Sequence, residues 1–183
     1  ELIESFKLEN VQKAAAVFDL KRFNWVSSQQ LAKLGEESFF EVIKPFMEDE
    51  DINEDSPNYE KILLAMRTSK TNLKDIAHAT RPFFFELDGY DEKGVKKFLN
   101  ESHETLIFAL EVLTKLTEWN EAELDMALIK VRDYFNLPIP KVNQPMRIAL
   151  VGSTVSPSLG LTLELFGKEK SLERIQKAID FIS

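Results

Sequence analysis

Residues 146–160, MRIALVGSTVSPSLG, join a short apolar run to a loop of small hydroxyl residues, and Gly167-Lys168 follow. That combination invites a test for phosphate chemistry. A loop of the form G-x-x-x-x-G-K-[ST] closing on Gly167-Lys168 needs glycine at 162 and a hydroxyl at 169, and the chain has Thr162 and Glu169. The carboxylate would repel both phosphate and a magnesium-bound oxygen. No G-x-G-x-x-G occurs. Ser153 follows Gly152, but Val155 stands where a serine-nucleophile elbow requires its second glycine. The two histidines, His78 and His103, lie far apart, and Glu101-Ser-His-Glu104 has the pattern of a solvated helix face rather than of a metal site. The acidic run from Glu48 to Asp55 supplies paired carboxylates without the apolar surroundings that would raise one pKa for acid catalysis. The residues therefore point away from an active site in this stretch of chain.

Composition narrows the classes. The 183 residues carry 44% hydrophobic and 30% charged residues, enough for one domain or two small ones with a sizeable core. No apolar run approaches the roughly 18 residues that cross a bilayer. Without a cysteine there is no disulfide, no thiol nucleophile and no thiolate-bound zinc, which fits a reducing compartment, and the cytoplasm is expected. A start at Glu1 with no secretory signal reads as part of a longer protein. The net charge of −8 speaks against a polyanionic partner, yet the charges are segregated. Acidic residues crowd 48–55, and Lys61, Arg67, Lys70, Lys74 and Arg81 follow, opposed by Asp75. Such a pattern suits a basic footprint, and equally a solvated loop ahead of an amphipathic helix.

The elements that must position these residues are helical. Phe39/Phe40, Ile43 and Phe46/Met47 form one stripe, Tyr59, Ile62/Leu63 and Met66 a second, and Leu106/Ile107, Leu110, Leu113 and Leu116 a third. Leu124, Leu128, Val131 and Phe135 repeat at helical spacing, as do Leu172, Ile175, Ile179 and Ile182. Ser56-Pro57 and Asn120-Glu-Ala-Glu123 mark helix starts, and Leu137-Pro-Ile-Pro140 stops the helix before it. The expectation is an all-α chain of nine or ten short packed helices. In that frame the apparent strand at 146–150 is a short helix beginning at Pro145 and closed by Gly152, Val155 to Ser158 is a turn, and Leu159 to Phe166 is a helix stopped by Gly167. Phe83 to Phe85, Trp25 and Trp119 are expected in packing between helices.

Two segments together resemble bacterial glutamyl-tRNA synthetases. Val17-Phe-Asp-Leu-Lys-Arg-Phe-Asn-Trp25 is similar to one of that family's patterns. Gln144-Pro-Met-Arg-Ile-Ala-Leu-Val-Gly152, Ser156-Pro-Ser-Leu159 and Leu165-Phe-Gly-Lys-Glu-Lys-Ser-Leu-Glu-Arg-Ile175 resemble its C-terminal pattern. The resemblance implies an all-α, multi-helix architecture: the end of a stem-contact region (1–35), then two consecutive helical anticodon-binding subdomains (36–81 and 82–183). It implies tRNA(Glu), and tRNA(Gln) as a further candidate, as the partner of a monomer, with neither DNA nor a membrane involved. The catalytic half of such a ligase, which joins glutamate to tRNA and uses ATP and Mg, would precede this chain, and no cofactor is expected within it.

By position, Arg147, Ser156, Pro157 and Leu159, with Gln144, match residues that contact the splayed anticodon bases. RNA is read with sequence specificity mainly at unpaired loop bases. Arg147 would supply a planar donor fork, Ser156 a hydroxyl that donates or accepts, the turn at Pro157 its amides, and Leu159 an apolar contact with a base face. One departure concerns the third anticodon base. Members that charge only the glutamate tRNA carry an arginine there; a gapless placement puts Ser69 at that position, a slip of two puts Arg67, and Lys70 lies beside it. A lost bidentate contact forfeits about 1–3 kcal/mol of base discrimination. Ser27 is a smaller departure, from asparagine. A non-catalytic helical protein-interaction module, docking through the 48–55 loop or the 82–85 aromatics, is the alternative.

Overall fold

The computed structural model describes residues 17–183. Ten helices and no strand are present among the described residues, as the periodicity predicts. They are α1 (Leu20–Lys33), α2 (Glu36–Asp49), α3 (Tyr59–Met66), α4 (Leu73–Phe84), α5 (92–99), α6 (His103–Thr114), α7 (Glu121–Phe135), α8 (Ile139–Val151), α9 (Leu159–Phe166) and α10 (Lys168–Phe181). Residues 1–16 of the expected stem-contact segment lie outside the described residues. The junction at 35/36 falls between α1 and α2, whereas the one at 81/82 falls inside α4.

Local chemistry sets most of the boundaries. Side-chain oxygens of Asp19, Asn72, Asp91, Asn120 and Ser158 each accept a backbone N–H from the first turn of α1, α4, α5, α7 and α9. Asn136, Gly152 and Gly167 close α7, α8 and α9 with positive φ. Two expected starts are displaced. Ser56-Pro57 sits in a turn, with the Ser56 carbonyl accepting from the Tyr59 N–H at 3.1 Å, because Asn58 is left-handed (φ 59°) and the helix cannot begin before it. The helix expected from Pro145 starts instead at Ile139. Pro138 is its cap and Pro140 lies in its first turn, where the missing N–H has no partner to lose; Pro145 is accommodated one turn further in.

Two packed groups build the core. α2 and α4 pack against each other and enclose α3, burying Phe39, Ile43, Met47, Tyr59, Ile62, Leu63, Met66 and Ile76. α6, α7, α9 and α10 form the second group around α8, seven of whose thirteen residues are buried. The groups meet where Phe83 stacks on Phe166, with ring centroids 4.7 Å apart and planes 9° off parallel. The phenylalanine triplet is thus packing material. Trp119 also packs, its Nε1–H donating to the Leu163 carbonyl at 2.9 Å. Trp25 does not: it is 62% exposed, because among the described residues α1 packs through its C-terminal end, where Leu31 is its one buried residue.

Arg174 of α10 ties the groups together. It is 1% exposed, Nη1 donates to the Leu150 carbonyl (2.5 Å) and Nη2 to the Phe85 carbonyl (2.6 Å), and the guanidinium lies 4.5 Å from the Phe166 ring centroid. Leu150 is in the last turn of α8 and Phe85 caps α4, so one cation faces two helix C-termini, where the backbone dipoles favour positive charge.

Candidate nucleic-acid interface

The site is built on the open face of α8. Val142, Pro145, Met146, Ile148, Ala149, Leu150 and Val151 point inward, leaving Pro140, Asn143, Gln144 and Arg147 as a row at helical spacing. α5 flanks that face on one side: Gly94 approaches Ile148, and the Asp91 N–H donates to the Gly152 carbonyl at 2.8 Å. The turn before α9 and the start of α7 close the other.

Arg147 and the turn form one hydrogen-bonded unit. Arg147 Nε donates to Ser156 Oγ at 2.8 Å and Nη2 to the Pro157 carbonyl at 3.1 Å, across the nine- and ten-residue chain separation that Gly152 makes possible. The guanidinium is half-buried, and burial pushes its pKa down from the ordinary arginine value. Its Nη1 has no hydrogen-bond partner among the described residues. Ser156 Oγ accepts from Arg147 and donates to the Pro157 carbonyl at 3.0 Å, and Thr162 Oγ1 lies 3.1 Å from it. Ser158 Oγ donates to Glu121 Oε1 at 2.5 Å, and Glu164 Oε2 accepts the Glu121 N–H at 2.6 Å, clamping the turn to α7. Gly160 permits that clamp, since a Cβ there would meet the Glu121 carbonyl at 2.9 Å.

The remaining expected residues divide. Leu159 is 3% exposed, so its side chain anchors the turn from below and is not free to face a base. Gln144, three residues before Arg147, has its Oε1 buried with no hydrogen-bond partner, an unmet acceptor next to the fork. Arg67, Ser69 and Lys70 form a separate group after α3. Arg67 turns inward: Nε and Nη2 donate to the Leu31 carbonyl (3.0 and 2.5 Å), Nη2 also donates to the Leu34 carbonyl, and the guanidinium lies 5.1 Å over Phe39. Its role in the fold is to fasten the end of α1. Ser69 Oγ donates to the Met66 carbonyl at 2.6 Å, and Lys70 makes no ion pair among the described residues.

Sequence reasoning missed Thr162, Glu121 and Arg174. The first two sit on helices whose packing alone brings them to the turn, and spacing gives no sign of that. Arg174 did leave a signal: it falls on the same helical face as Ser171, Ile175 and Ala178, a charge on a buried stripe.

The profile of a family described as "Anticodon binding domain" matches residues 30–179. A glutamate–tRNA ligase from Thermodesulfovibrio yellowstonii is 32% identical over 98% of the chain, and a second, from Syntrophomonas wolfei, is 29% identical over 100%. The chain spans 40% and 38% of the lengths of these relatives, in their C-terminal part. Among solved structures, a glutamate tRNA ligase from Elizabethkingia meningosepticum in complex with its amino acid superposes with a TM-score of 0.79 at 26% identity, over all of this chain and 36% of that one. Glutamate-tRNA synthetase from Elizabethkingia anophelis gives 0.72 at 27%, over 98% and 35%. With its all-helical architecture and a profile match over most of its length, the chain belongs to the anticodon-binding domain family.

Proposed function

We propose that the chain reads the anticodon of the glutamate tRNA as the C-terminal part of a glutamate–tRNA ligase, whose ATP- and Mg-dependent ligation is carried out by the portion preceding it. It works in the cytoplasm as a monomer. The observation that carries this reading is the Arg147 fork, held half-buried by Ser156 and Pro157 with Nη1 left over. A guanidinium fixed in this way donates to a base edge without first losing rotamer freedom, so little of the interaction is offset by ordering. Ser156 and the turn around Pro157 set its direction, Leu159 supports the turn, and Gln144 offers an amide one turn away. At the other group Ser69 replaces a guanidinium and Arg67 is engaged with α1, so the glutamate and glutamine anticodons are read alike there, with Lys70 left as a phosphate contact.

The protein-interaction alternative keeps the exposed carboxylates of Glu48, Asp49, Asp51 and Asp55, but part of its surface is engaged within the fold. Glu50 pairs with Arg81 at 3.0 Å and lies 3.1 Å from His78, Glu54 pairs with Lys44, and Phe83 is buried.

The test is a titration of the chain with anticodon stem-loops at low salt. Arg147→Ala is expected to weaken the glutamate-anticodon loop by about 1–3 kcal/mol, or roughly 5- to 150-fold, while a scrambled loop changes little. Equal loss for every stem-loop would reduce Arg147 to a phosphate contact and sink the base-reading role.

A further inference from the structure

Thr162 is fully buried in α9 beside the Arg147 turn, and the helix that carries it does not need its hydroxyl. Oγ1 donates to the Ser158 carbonyl at 2.8 Å, an acceptor that the Thr162 backbone N–H already serves at 2.9 Å. A hydroxyl bonded back onto the i−4 carbonyl is slightly destabilising in a helix. Valine would fill nearly the same space without burying an oxygen. The one other hydrogen-bond partner of Thr162 Oγ1 among the described residues is Ser156 Oγ, at 3.1 Å.

Ser156 links Thr162 to the guanidinium. Arg147 is held through one edge of its plane, with Nε on Ser156 Oγ at 2.8 Å and Nη2 on the Pro157 carbonyl at 3.1 Å. The carbonyl belongs to the backbone and has a fixed direction. The hydroxyl does not, since a serine side chain has three χ1 wells and an O–H that rotates. For Nε–H to donate, a Ser156 lone pair must face it and the Ser156 hydrogen must point elsewhere. Thr162 supplies both conditions. It is a rigid anchor, being β-branched and inside a helix. With its single hydrogen committed to the Ser158 carbonyl, its oxygen meets Ser156 with a lone pair, and the Ser156 hydrogen is drawn toward Thr162 Oγ1 and the Pro157 carbonyl, 3.0 Å away, and not toward Arg147.

We propose that Thr162 is a positioning residue, which fixes the direction of the Arg147 guanidinium through the Ser156 hydroxyl. Buried as it is, it touches no base itself. Its use in selecting a base rests on the anticodon reading above, whereas the positioning belongs to the unbound chain.

Two variants of the 183-residue chain separate the hydroxyl from the methyl. Thr162→Val keeps the volume and removes the oxygen, and Thr162→Ser keeps the oxygen and removes the methyl. The first readout needs no RNA: solvent exchange of the Arg147 Nε–H, followed in proton–nitrogen correlation spectra and assigned by its loss in Arg147→Ala. The second is the ratio of affinities for glutamate-anticodon and scrambled stem-loops at low salt. Thr162→Val is expected to speed the exchange and to lower the ratio, each by about 5-fold, the equivalent of one ordinary hydrogen bond. Thr162→Ser should leave both as they are in the unaltered chain. Melting temperatures report the packing, so a valine variant that melts with the unaltered chain and yet loses the ratio is not merely less stable. Exchange at the unaltered rate in Thr162→Val would overturn the positioning role, as would effects that follow the methyl and appear in Thr162→Ser alone. Faster exchange with an unchanged ratio would overturn it too, since Arg147 would then select the base without Thr162. If the unaltered chain shows no preference between loops, the anticodon reading fails by itself, and the exchange rates alone decide whether Thr162 positions Arg147.

Discussion

Arg174 offers the sharpest test of how this fold holds its two helical groups in register. Replacing it with alanine removes two charge-assisted hydrogen bonds, to the Leu150 and Phe85 carbonyls, together with the cation over Phe166, and opens a cavity where α4, α8, α9 and α10 meet. Such bonds contribute roughly 1.5–3 kcal/mol each. Part of that is returned, because the guanidinium is buried, burial depresses its pKa, and the carboxylates of Glu86 and Glu173 only partly oppose the shift. The net loss for Arg174→Ala should be about 3 kcal/mol, which for a chain of this size lowers Tm by roughly 6–12 °C. Arg174→Met keeps most of the volume and removes the desolvated charge, so it should lose about half as much. Arg174→Lys should resemble the alanine variant more than the wild type, since one ammonium cannot span two carbonyls on different helices. Urea and thermal unfolding of the three variants decide the matter. An alanine variant melting within about 2 °C of wild type would refute the keystone role.

Two further perturbations probe other parts of the fold. Burial raises the phenol pKa of Tyr59, helped by Glu54, and of Tyr90, opposed by Arg174 and Lys177. A raised folded-state pKa means the neutral phenol is favoured in the native state; the associated stability is fully present below the unfolded value of about 10 and is lost as pH rises above it. Unfolding midpoints should therefore fall between about pH 9 and 11, and the slope should flatten when both tyrosines are changed to phenylalanine; an unchanged slope would remove the phenols as its source. Gly160→Ala puts a Cβ 2.9 Å from the Glu121 carbonyl and against Asp125 Oδ1. Despite the better helix propensity of alanine, the clash should destabilise by about 1–3 kcal/mol, and Asp125→Ala in the same chain should recover only part of it, because the carbonyl stays.

Most of the fold was legible because its helices alternate buried and exposed positions at a period that has one structural meaning. The stripes through Phe39, Ile43 and Met47 and through Leu124, Leu128 and Val131 are buried as their spacing predicts. The apparent strand at Met146–Leu150 resolved into helix for a related reason: Gly152 and the flanking prolines permit a capped helix. Its start lies earlier than expected, since Pro145 and Pro140 are both acceptable first-turn residues by local rules, and α8 runs back to Ile139 with Val142 buried in that added turn. Trp25 escaped because residue type favours burial while exposure depends on what else is docked against α1. The candidate site rests on resemblance and not on spacing. Nothing in the spacing of Arg147, Ser156 and Pro157 says that a nine-residue excursion returns hydroxyl and carbonyl to the guanidinium, and Leu159 shows that a residue can belong to such a turn while facing the core.

An acidic chain proposed to read RNA would have to keep its negative charge away from the strand, and internal pairing contributes to that as well as distance. Glu50 is held by Arg81 and His78, Glu54 by Lys44, and Glu86 by Lys177, whose hydrogen bond draws the Glu86 pKa below the usual carboxylate value. Each pair is worth little to stability where it is exposed. Each also cancels field at long range, and this matters more for a polyanion approaching from solution, because the Debye length of about 8 Å at physiological salt leaves only nearby uncompensated charge to act on it. On the open face of α8, Arg147 makes no ion pair among the described residues. The net charge of −8 therefore describes the molecule as a whole and says little about the face that RNA would meet.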